Sequence, residues 1–209
     1  MVTTWPGISL AILLLAVPAT AGAQTKWTGA VSVANYFFPD DDDLVQPTAY
    51  ADRGPLHLEV RYNYEDVDAT SVLAGWNIEF GSTVKLALTP IAGFVAGSID
   101  GGIVGVKADL SWRRFEAYAE GEFVMPGDRE PNYFYNWSEL SVWATDWMRA
   151  GAAIQRTRTF RRFRTTRDIE PGLLVGVAGS RIEGTFYYFN PGSDEQYFVA
   201  SIGVNFGGG

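Results

Sequence analysis

The stretch "LHLEVRYNYED", Leu56 to Asp66, alternates apolar with polar residues along its whole length. One set of alternate positions is apolar and holds Leu56, Leu58, Val60, Tyr62 and Tyr64. The other set is polar or charged and holds His57, Glu59, Arg61, Asn63 and Glu65. Successive side chains of a β-strand point to opposite faces, so the stretch predicts a strand with one apolar and one charged face.

The same alternation recurs along the chain and divides it into twelve candidate strands. Their predicted bounds are 27–38, 44–52, 55–66, 71–80, 83–97, 102–112, 114–124, 134–145, 147–160, 169–179, 181–190 and 196–206. Links after odd-numbered strands, such as "MPGDREPNY", are long, and links after even-numbered strands, such as "RG", are short. Transmembrane barrels have an even strand number, long loops at one end and short turns at the other. The segment 44–52 contains Pro47, so ten strands with a long first loop is the alternative.

The two faces of these strands predict opposite environments. The apolar faces combine Ala and Gly with aromatics near strand ends, which is typical of a lipid-facing wall with interfacial girdles. These aromatics are Trp76, Phe80, Trp112, Phe115 and Phe206. The predicted fold is therefore all-β, a closed antiparallel up-and-down transmembrane β-barrel of about twelve strands. The charged faces are expected to line its lumen, with His57, Glu59, Arg61, Lys107, Asp109, Arg114, Glu116, Glu120, Glu122, Arg149, Arg181 and Glu183. The lumen face also carries four aromatic residues that are expected to fill space there: Tyr118, Trp137, Trp143 and Tyr187.

The N-terminal segment predicts export. The apolar run "ISLAILLLAV" is too short to span a bilayer and is followed by "AGA", so residues 1–23 are interpreted as a signal peptide and 24–209 as the barrel. The chain has no cysteine and a single histidine, His57, which excludes disulfides, thiolate metal sites and histidine clusters. We expect no metal and no cofactor.

The final strand resembles the assembly signal of outer-membrane β-barrel proteins. It places Phe198, Ala200, Ile202, Val204 and Phe206 on one face, although "GGG" follows the last aromatic. This resemblance implies recognition by the barrel-assembly machinery and a location in the bacterial outer membrane. The segments "HLEVRYNYED", "WSELS", "DWMRAGAAIQRTR" and "GLLVGV" resemble a family of uncharacterised bacterial outer-membrane proteins. That resemblance implies a barrel and a location, but no activity.

The expected function is that of a narrow channel for small solutes or of a structural membrane protein, acting as a monomer without enzymatic activity. Eight strands enclose a filled interior and sixteen an aqueous channel, so twelve lie between. One alternative is an outer-membrane enzyme acting on lipid or lipopolysaccharide. The alternation, however, puts His57 on the lumen face. Another is a secreted lipocalin-like barrel. Glu116, Glu120 and Glu122 share one strand face, and ion pairing across the lumen is favoured over acid–base catalysis.

One basic segment interrupts this acidic chain, whose net charge is −8: "RTRTFRRFRTTRD", Arg156 to Asp168. It is predicted to be a strand end followed by a long surface loop. No nucleic-acid module accompanies it, so nucleic acid is not an expected partner. Two interpretations remain open for Arg161, Arg162, Arg164 and Arg167: contact with phosphates of lipopolysaccharide, or pairing with the acidic loop Asp40–Asp43.

Overall fold

The computed structural model describes residues 26–127, 130–161 and 164–207. The predicted signal peptide and Arg162 lie outside these ranges. The described residues form thirteen β-segments. They are β1 (Thr28–Phe37), β2 (Leu44–Arg53), β3 (Leu56–Tyr62), β4 (Ala69–Trp76), β5 (Ile78–Phe80), β6 (Lys85–Gly97), β7 (Gly101–Trp112), β8 (Phe115–Pro126), β9 (Tyr133–Trp143), β10 (Met148–Arg161), β11 (Arg164–Ala178), β12 (Ile182–Phe189) and β13 (Tyr197–Phe206). Within these ranges no helix is long and apolar enough to cross a membrane.

The segments β4 and β5 form one strand of the wall. Both pair with β6 in the same register, with Gly75 opposite Ile91 and Ile78 opposite Leu88. The gap between them faces the part of β6 that contains Pro90, whose nitrogen has no hydrogen to donate to a ladder. The described wall therefore contains twelve strands.

The sheet closes on itself. Strands adjacent in sequence pair antiparallel, and β1 pairs with β13, so that Gly29 lies opposite Phe206 and Phe37 opposite Phe198. The prediction of a closed antiparallel up-and-down barrel of twelve strands is confirmed, and the ten-strand alternative is wrong. Pro47 is tolerated in β2 because the ladder to β3 ends at Thr48, so Pro47 lies beyond its last pair.

The barrel has two unlike ends. The terminal end, where β1 begins and β13 ends, carries the turns 54–55, 81–84, 113–114, 144–147 and 179–181. The loop end carries the connections 38–43, 63–68, 98–100, 127–132, 162–163 and 190–196. The expectation that every loop-end connection is long is wrong at two places. The link 98–100 is short, and "RRFRTTRD" is mostly strand, because β10 and β11 stay paired up to Arg161 opposite Arg164.

The outer wall is apolar, and aromatic residues ring both ends. At the terminal end Trp76, Phe80, Trp112, Phe115 and Phe206 are exposed, as predicted. At the loop end Phe37, Tyr62, Phe94 and Phe198 are exposed on the same outer surface. Aromatic belts above and below an apolar band are the arrangement that a barrel adopts in a bilayer.

Towards the loop end the interior holds apolar side chains beyond the lumen aromatics Trp137 and Tyr187 that the sequence predicted. An aromatic cluster packs against one side of the wall, and an aliphatic cluster packs against the other. The aromatic cluster consists of Tyr36, Tyr187, Phe189 and Tyr197, with Trp137 beside them. The aliphatic cluster consists of Leu73, Ile91, Val95, Ile103 and Val124. Burial of these groups stabilises the closed barrel from inside.

Candidate functional site: a charged lumen between two vestibules

Arg61 is the centre of the lumen. It projects inward from β3 because it alternates with the exposed Val60 and Tyr62, and its side chain is fully buried. Its Nε lies 3.0 Å from Glu59 Oε1, and its Nη1 lies 2.8 Å from Glu122 Oε1 on β8. Its Nη2 lies 2.9 Å from Glu120 Oε1, and its Nη1 lies 3.5 Å from Glu65 Oε1. One guanidinium thus meets four buried carboxylates.

Lys107 is the second cation of this group. We call the set of Arg61, Lys107, Glu59, Glu65, Glu120 and Glu122 the central network. Its Nζ lies 2.5 Å from Glu59 Oε2 and 3.7 Å from Glu120 Oε2. Two cations therefore face four acidic side chains. Buried charges are stable only when paired and hydrogen bonded, so this network fixes β3, β7 and β8 relative to one another.

His57 lies nearer the terminal end than Glu59, and a carboxylate contacts each of its two ring nitrogens. Its Nδ1 is 2.7 Å from Asp52 Oδ1, and its Nε2 is 3.3 Å from Glu59 Oε2. Asp52 also accepts a hydrogen bond from the Asn77 side chain. A catalytic histidine needs one nitrogen directed at a nucleophile or substrate. The geometry of His57 instead supports a structural role in the lumen wall.

The ring of Tyr64 covers the guanidinium of Arg61. The sequence did not predict this contact. Alternation places Tyr64 on the outer face, but β3 ends at Tyr62 and Asn63 has a φ of 58°. This left-handed residue turns the following loop into the barrel. The Tyr64 ring centroid lies 4.1 Å from Arg61 Cζ, and its hydroxyl donates to Glu120 Oε1 at 3.0 Å. Tyr118 also donates to Glu120.

Glu65 follows Tyr64 in the same inward-folded loop. It accepts a hydrogen bond from the Ser71 hydroxyl, and its backbone carbonyl accepts one from the Tyr133 hydroxyl at 2.8 Å. Burial raises the pKa of Glu65 above its ordinary value, although Arg61 opposes the shift. The loop 63–68 therefore places one aromatic and one acidic side chain across the middle of the lumen.

A second polar cluster lies on the opposite wall. Glu139 on β9 accepts hydrogen bonds from Trp137 Nε1 at 2.9 Å and from the Tyr187 hydroxyl at 2.7 Å. Arg149 Nη1 lies 3.1 Å from Glu139 Oε2, and its Nη2 donates to Thr185 Oγ1 at 3.1 Å. The predicted lumen aromatics Trp137 and Tyr187 thus orient a carboxylate as well as filling space.

The interior opens into two main vestibules, one towards each end. The terminal vestibule has a volume of about 700 Å³, and the described residues give it more acids than bases. Its charged lining is Glu79, Lys85, Asp109, Glu116, Glu139, Arg149 and Glu183. The loop-end vestibule has a volume of about 560 Å³, and its charged lining is Glu65, Asp66, Glu122, Glu130 and Arg161. A smaller recess of about 250 Å³ adjoins the latter beside Tyr36 and Tyr197.

Two predicted lumen charges lie elsewhere. Arg114 occupies the turn 113–114 at the terminal end, where its Nη1 donates to the carbonyls of Trp143 and Ala144. Arg181 is exposed in the turn 179–181. Both predictions extend the alternation one residue before a strand begins, where it no longer applies, because β8 begins at Phe115 and β12 begins at Ile182.

The arginine-rich segment does not form the single loop patch that was expected. Arg161 lines the loop-end vestibule, and Arg164 lies opposite it. Arg167 pairs in register with Arg158, which faces outward because its neighbour Thr157 lines the vestibule. In the described part of the chain, the ion pairs join none of these arginines to Asp40–Asp43.

A closed twelve-stranded barrel with an apolar outer wall and a charged interior has the fold of an outer-membrane porin. No protein-family model matches the chain, and no curated protein matches it in sequence. Among solved structures it is similar to the KdgM porin, with a TM-score of 0.60 at 9% identity, covering 85% of this chain and 99% of that one. It is also similar to the NanC porin, with a TM-score of 0.60 at 10% identity, covering 84% and 98%.

Proposed function

We propose that this protein is a bacterial outer-membrane channel that passes small solutes through a narrow, charged lumen. The observation that carries the proposal is the central network, which lies between two vestibules inside a closed barrel. A barrel that served only as a membrane anchor needs no wet cavities of several hundred Å³ at both ends. The similarity to KdgM and NanC, both described as porins, supports the same function.

The outer wall argues against a secreted lipocalin-like barrel. Large apolar side chains are exposed on its strands, among them Val31, Phe94, Leu140, Leu173 and Ile202, which are each more than half exposed. Soluble monomers rarely expose contiguous apolar patches of more than a few hundred Å². A bilayer is the environment that such a surface requires.

The lumen argues against an enzyme acting on lipid. His57 is enclosed by Asp52 and Glu59 inside the barrel, whereas lipid substrates reach the outer wall. Glu120 and Glu122 share a strand face as an acid–base pair would, but both hold Arg61. In our proposal these carboxylates set the charge selectivity of the lumen, and the protein has no catalytic activity.

Several partners belong to the same proposal. Export begins with the signal peptide 1–23, and the barrel-assembly machinery recognises the last strand through Phe206. We place the chain with the uncharacterised outer-membrane proteins that its segments resemble, acting as a monomer. Lipopolysaccharide phosphates contact the outward arginines Arg156, Arg158 and Arg167. This contact is supported by the outward direction of these side chains, since the alternating Thr157 and Thr159 line the vestibule and Arg167 pairs with Arg158.

Single-channel recording in planar bilayers tests the proposal. Purified protein is expected to give discrete conductance steps and a reversal potential in a KCl gradient that shows cation preference. The preference follows from the acidic excess in both vestibules. Membranes that stay silent at all applied voltages, although they contain folded protein, rule out a channel and leave a structural membrane protein.

A further inference from the structure

Two hydrogen-bond acceptors in the loop-end vestibule have no donor among the described residues. They are Glu122 Oε2 and Gln155 Oε1, both buried and without a partner in the described residues. The Glu122 side chain is 1% exposed, and both residues line this vestibule. Buried acceptors that lack a donor are rare in folded proteins, and each one calls for an explanation. A ligand that carries N–H donors supplies one.

The two acceptors lie on the same side of the vestibule. Glu122 on β8 is opposite Tyr135 on β9, and Tyr135 is opposite Thr157 on β10. Gln155 is the inward-facing residue of β10 that precedes Thr157 by two positions. The rings of Tyr135, Tyr64 and Tyr133 also line this space. The acceptors therefore flank an aromatic surface, and aromatic faces attract cations.

The charge of the vestibule selects the sign of the ligand. In the described lining, four carboxylates face a single cation, Arg161. Deeper in the lumen, Arg61 is already shared among four carboxylates, so it does not neutralise Glu122 fully. An anionic solute would meet unpaired negative charge here, whereas an ammonium or guanidinium group would donate to Glu122 and Gln155.

We infer that the loop-end vestibule contains a binding site for the ammonium or guanidinium group of a small organic cation, with Glu122 and Gln155 as its acceptors. The inference rests on the proposed channel only in taking the bound cation to be a solute that the lumen admits. Tyr135 contacts its charge through its ring face. Glu122 is the main determinant of affinity because a carboxyl oxygen is a stronger acceptor for a cationic N–H group than the amide oxygen of Gln155.

Isothermal titration calorimetry with agmatine tests the site. Agmatine carries a guanidinium and an ammonium group on a flexible chain, and glutarate serves as an anionic probe of similar length. Folded protein in detergent micelles, at low salt and neutral pH, is expected to bind agmatine at one site and not to bind glutarate. A Glu122→Gln variant removes one charge-assisted hydrogen bond and is expected to bind about tenfold to a hundredfold more weakly.

Two further variants separate the site from general electrostatics and from misfolding. Gln155→Leu removes the second acceptor without touching an ion pair, and a loss of severalfold is expected. Glu116→Gln makes the same charge change on the same strand, but in the terminal vestibule, and is expected to leave affinity within about twofold. The boiled-to-unboiled gel shift confirms that each variant is folded.

The outcomes distinguish the site from the channel. Agmatine binding by a protein that shows no conductance upholds the site and removes the proposed channel. Conductance without agmatine binding upholds the channel and overturns the site, as happens if a bound proton already satisfies Glu122. Equal weakening by Glu116→Gln and Glu122→Gln also overturns the site, because the attraction would then be diffuse.

Discussion

Arg61 on β3 and Glu122 on β8 meet across the barrel interior, with Arg61 Nη1 lying 2.8 Å from Glu122 Oε1. Both side chains are at most 1% exposed. Neither residue has an alternative partner in solvent, so the pair and its neighbours couple two distant parts of the wall.

Replacing Arg61 with Met leaves Lys107 as the remaining cation of the central network, facing four carboxylates. Removing one partner of a buried ion pair typically costs about 3–5 kcal/mol. We expect a loss of that size in the free energy of unfolding, measured by urea titration in detergent micelles with tryptophan fluorescence. Arg114→Met is the control, because Arg114 lies in an exposed turn. Equal stability of the two variants would contradict a structural role for the network.

Glu65 predicts a pH-dependent part of the stability. Burial raises its pKa in the folded barrel, so the folded state holds its proton more tightly than the unfolded chain does. Its contribution is therefore greatest at low pH and is lost as pH rises from the unfolded pKa through the folded pKa. The difference in unfolding free energy between wild type and Glu65→Gln should shift in favour of the variant as pH rises above the unfolded pKa of a glutamate, about 4. A difference independent of pH would refute the assignment.

The outward arginines predict where lipopolysaccharide is held. Arg156→Gln, Arg158→Gln and Arg167→Gln together should lower the lipopolysaccharide that copurifies with the protein, measured as phosphate per barrel. Arg161→Gln removes a positive charge from the same strand on its inward side and should leave the phosphate content unchanged. If Arg161→Gln has the larger effect, the lipid contact lies at the vestibule mouth and not on the outer wall.

Gly29 predicts a steric requirement at the seam between β1 and β13. A Cβ at this position would lie 2.2 Å from the Tyr50 carbonyl oxygen and 2.6 Å from Phe206 Cζ, which forces both to move. Gly29→Ala should therefore lower the temperature at which the compact gel band converts to the unfolded one. Gly184→Ala is the matched control, since its nearest neighbour would be at 3.6 Å. An unchanged conversion temperature for Gly29→Ala would contradict the steric requirement, because the seam would then adjust to the added methyl group.

Most of the correct predictions from the sequence rested on the alternation of apolar and polar residues along strands. The period of two placed Glu59 and Arg61 inside and Val60 outside, because a barrel in lipid leaves each strand only one permissible face for charge. It failed where strands ended, at Tyr64, Arg114 and Arg181. The end of a strand depends on backbone conformation and partner ladders, such as the left-handed Asn63, which a residue pattern does not encode.

The partners within the lumen were beyond prediction for a different reason. Glu122 is 61 residues from Arg61, and only the closed geometry of the wall brings them together. The inward apolar clusters, including Leu73 and Phe189, were also missed, because an apolar residue inside a barrel looks like a break in alternation rather than a core. Phe189 directly precedes a loop-end connection, which was the available signal.

The closed register also bears on the order of assembly. Hairpins such as β10–β11 join residues near in sequence and form with little loss of chain entropy, whereas contact between Arg61 and Glu122 requires the intervening strands to be in place. Until then, Arg61 and its carboxylates need water, and a half-inserted sheet cannot give it to them within a bilayer. The central network therefore makes partially assembled barrels costly within the bilayer.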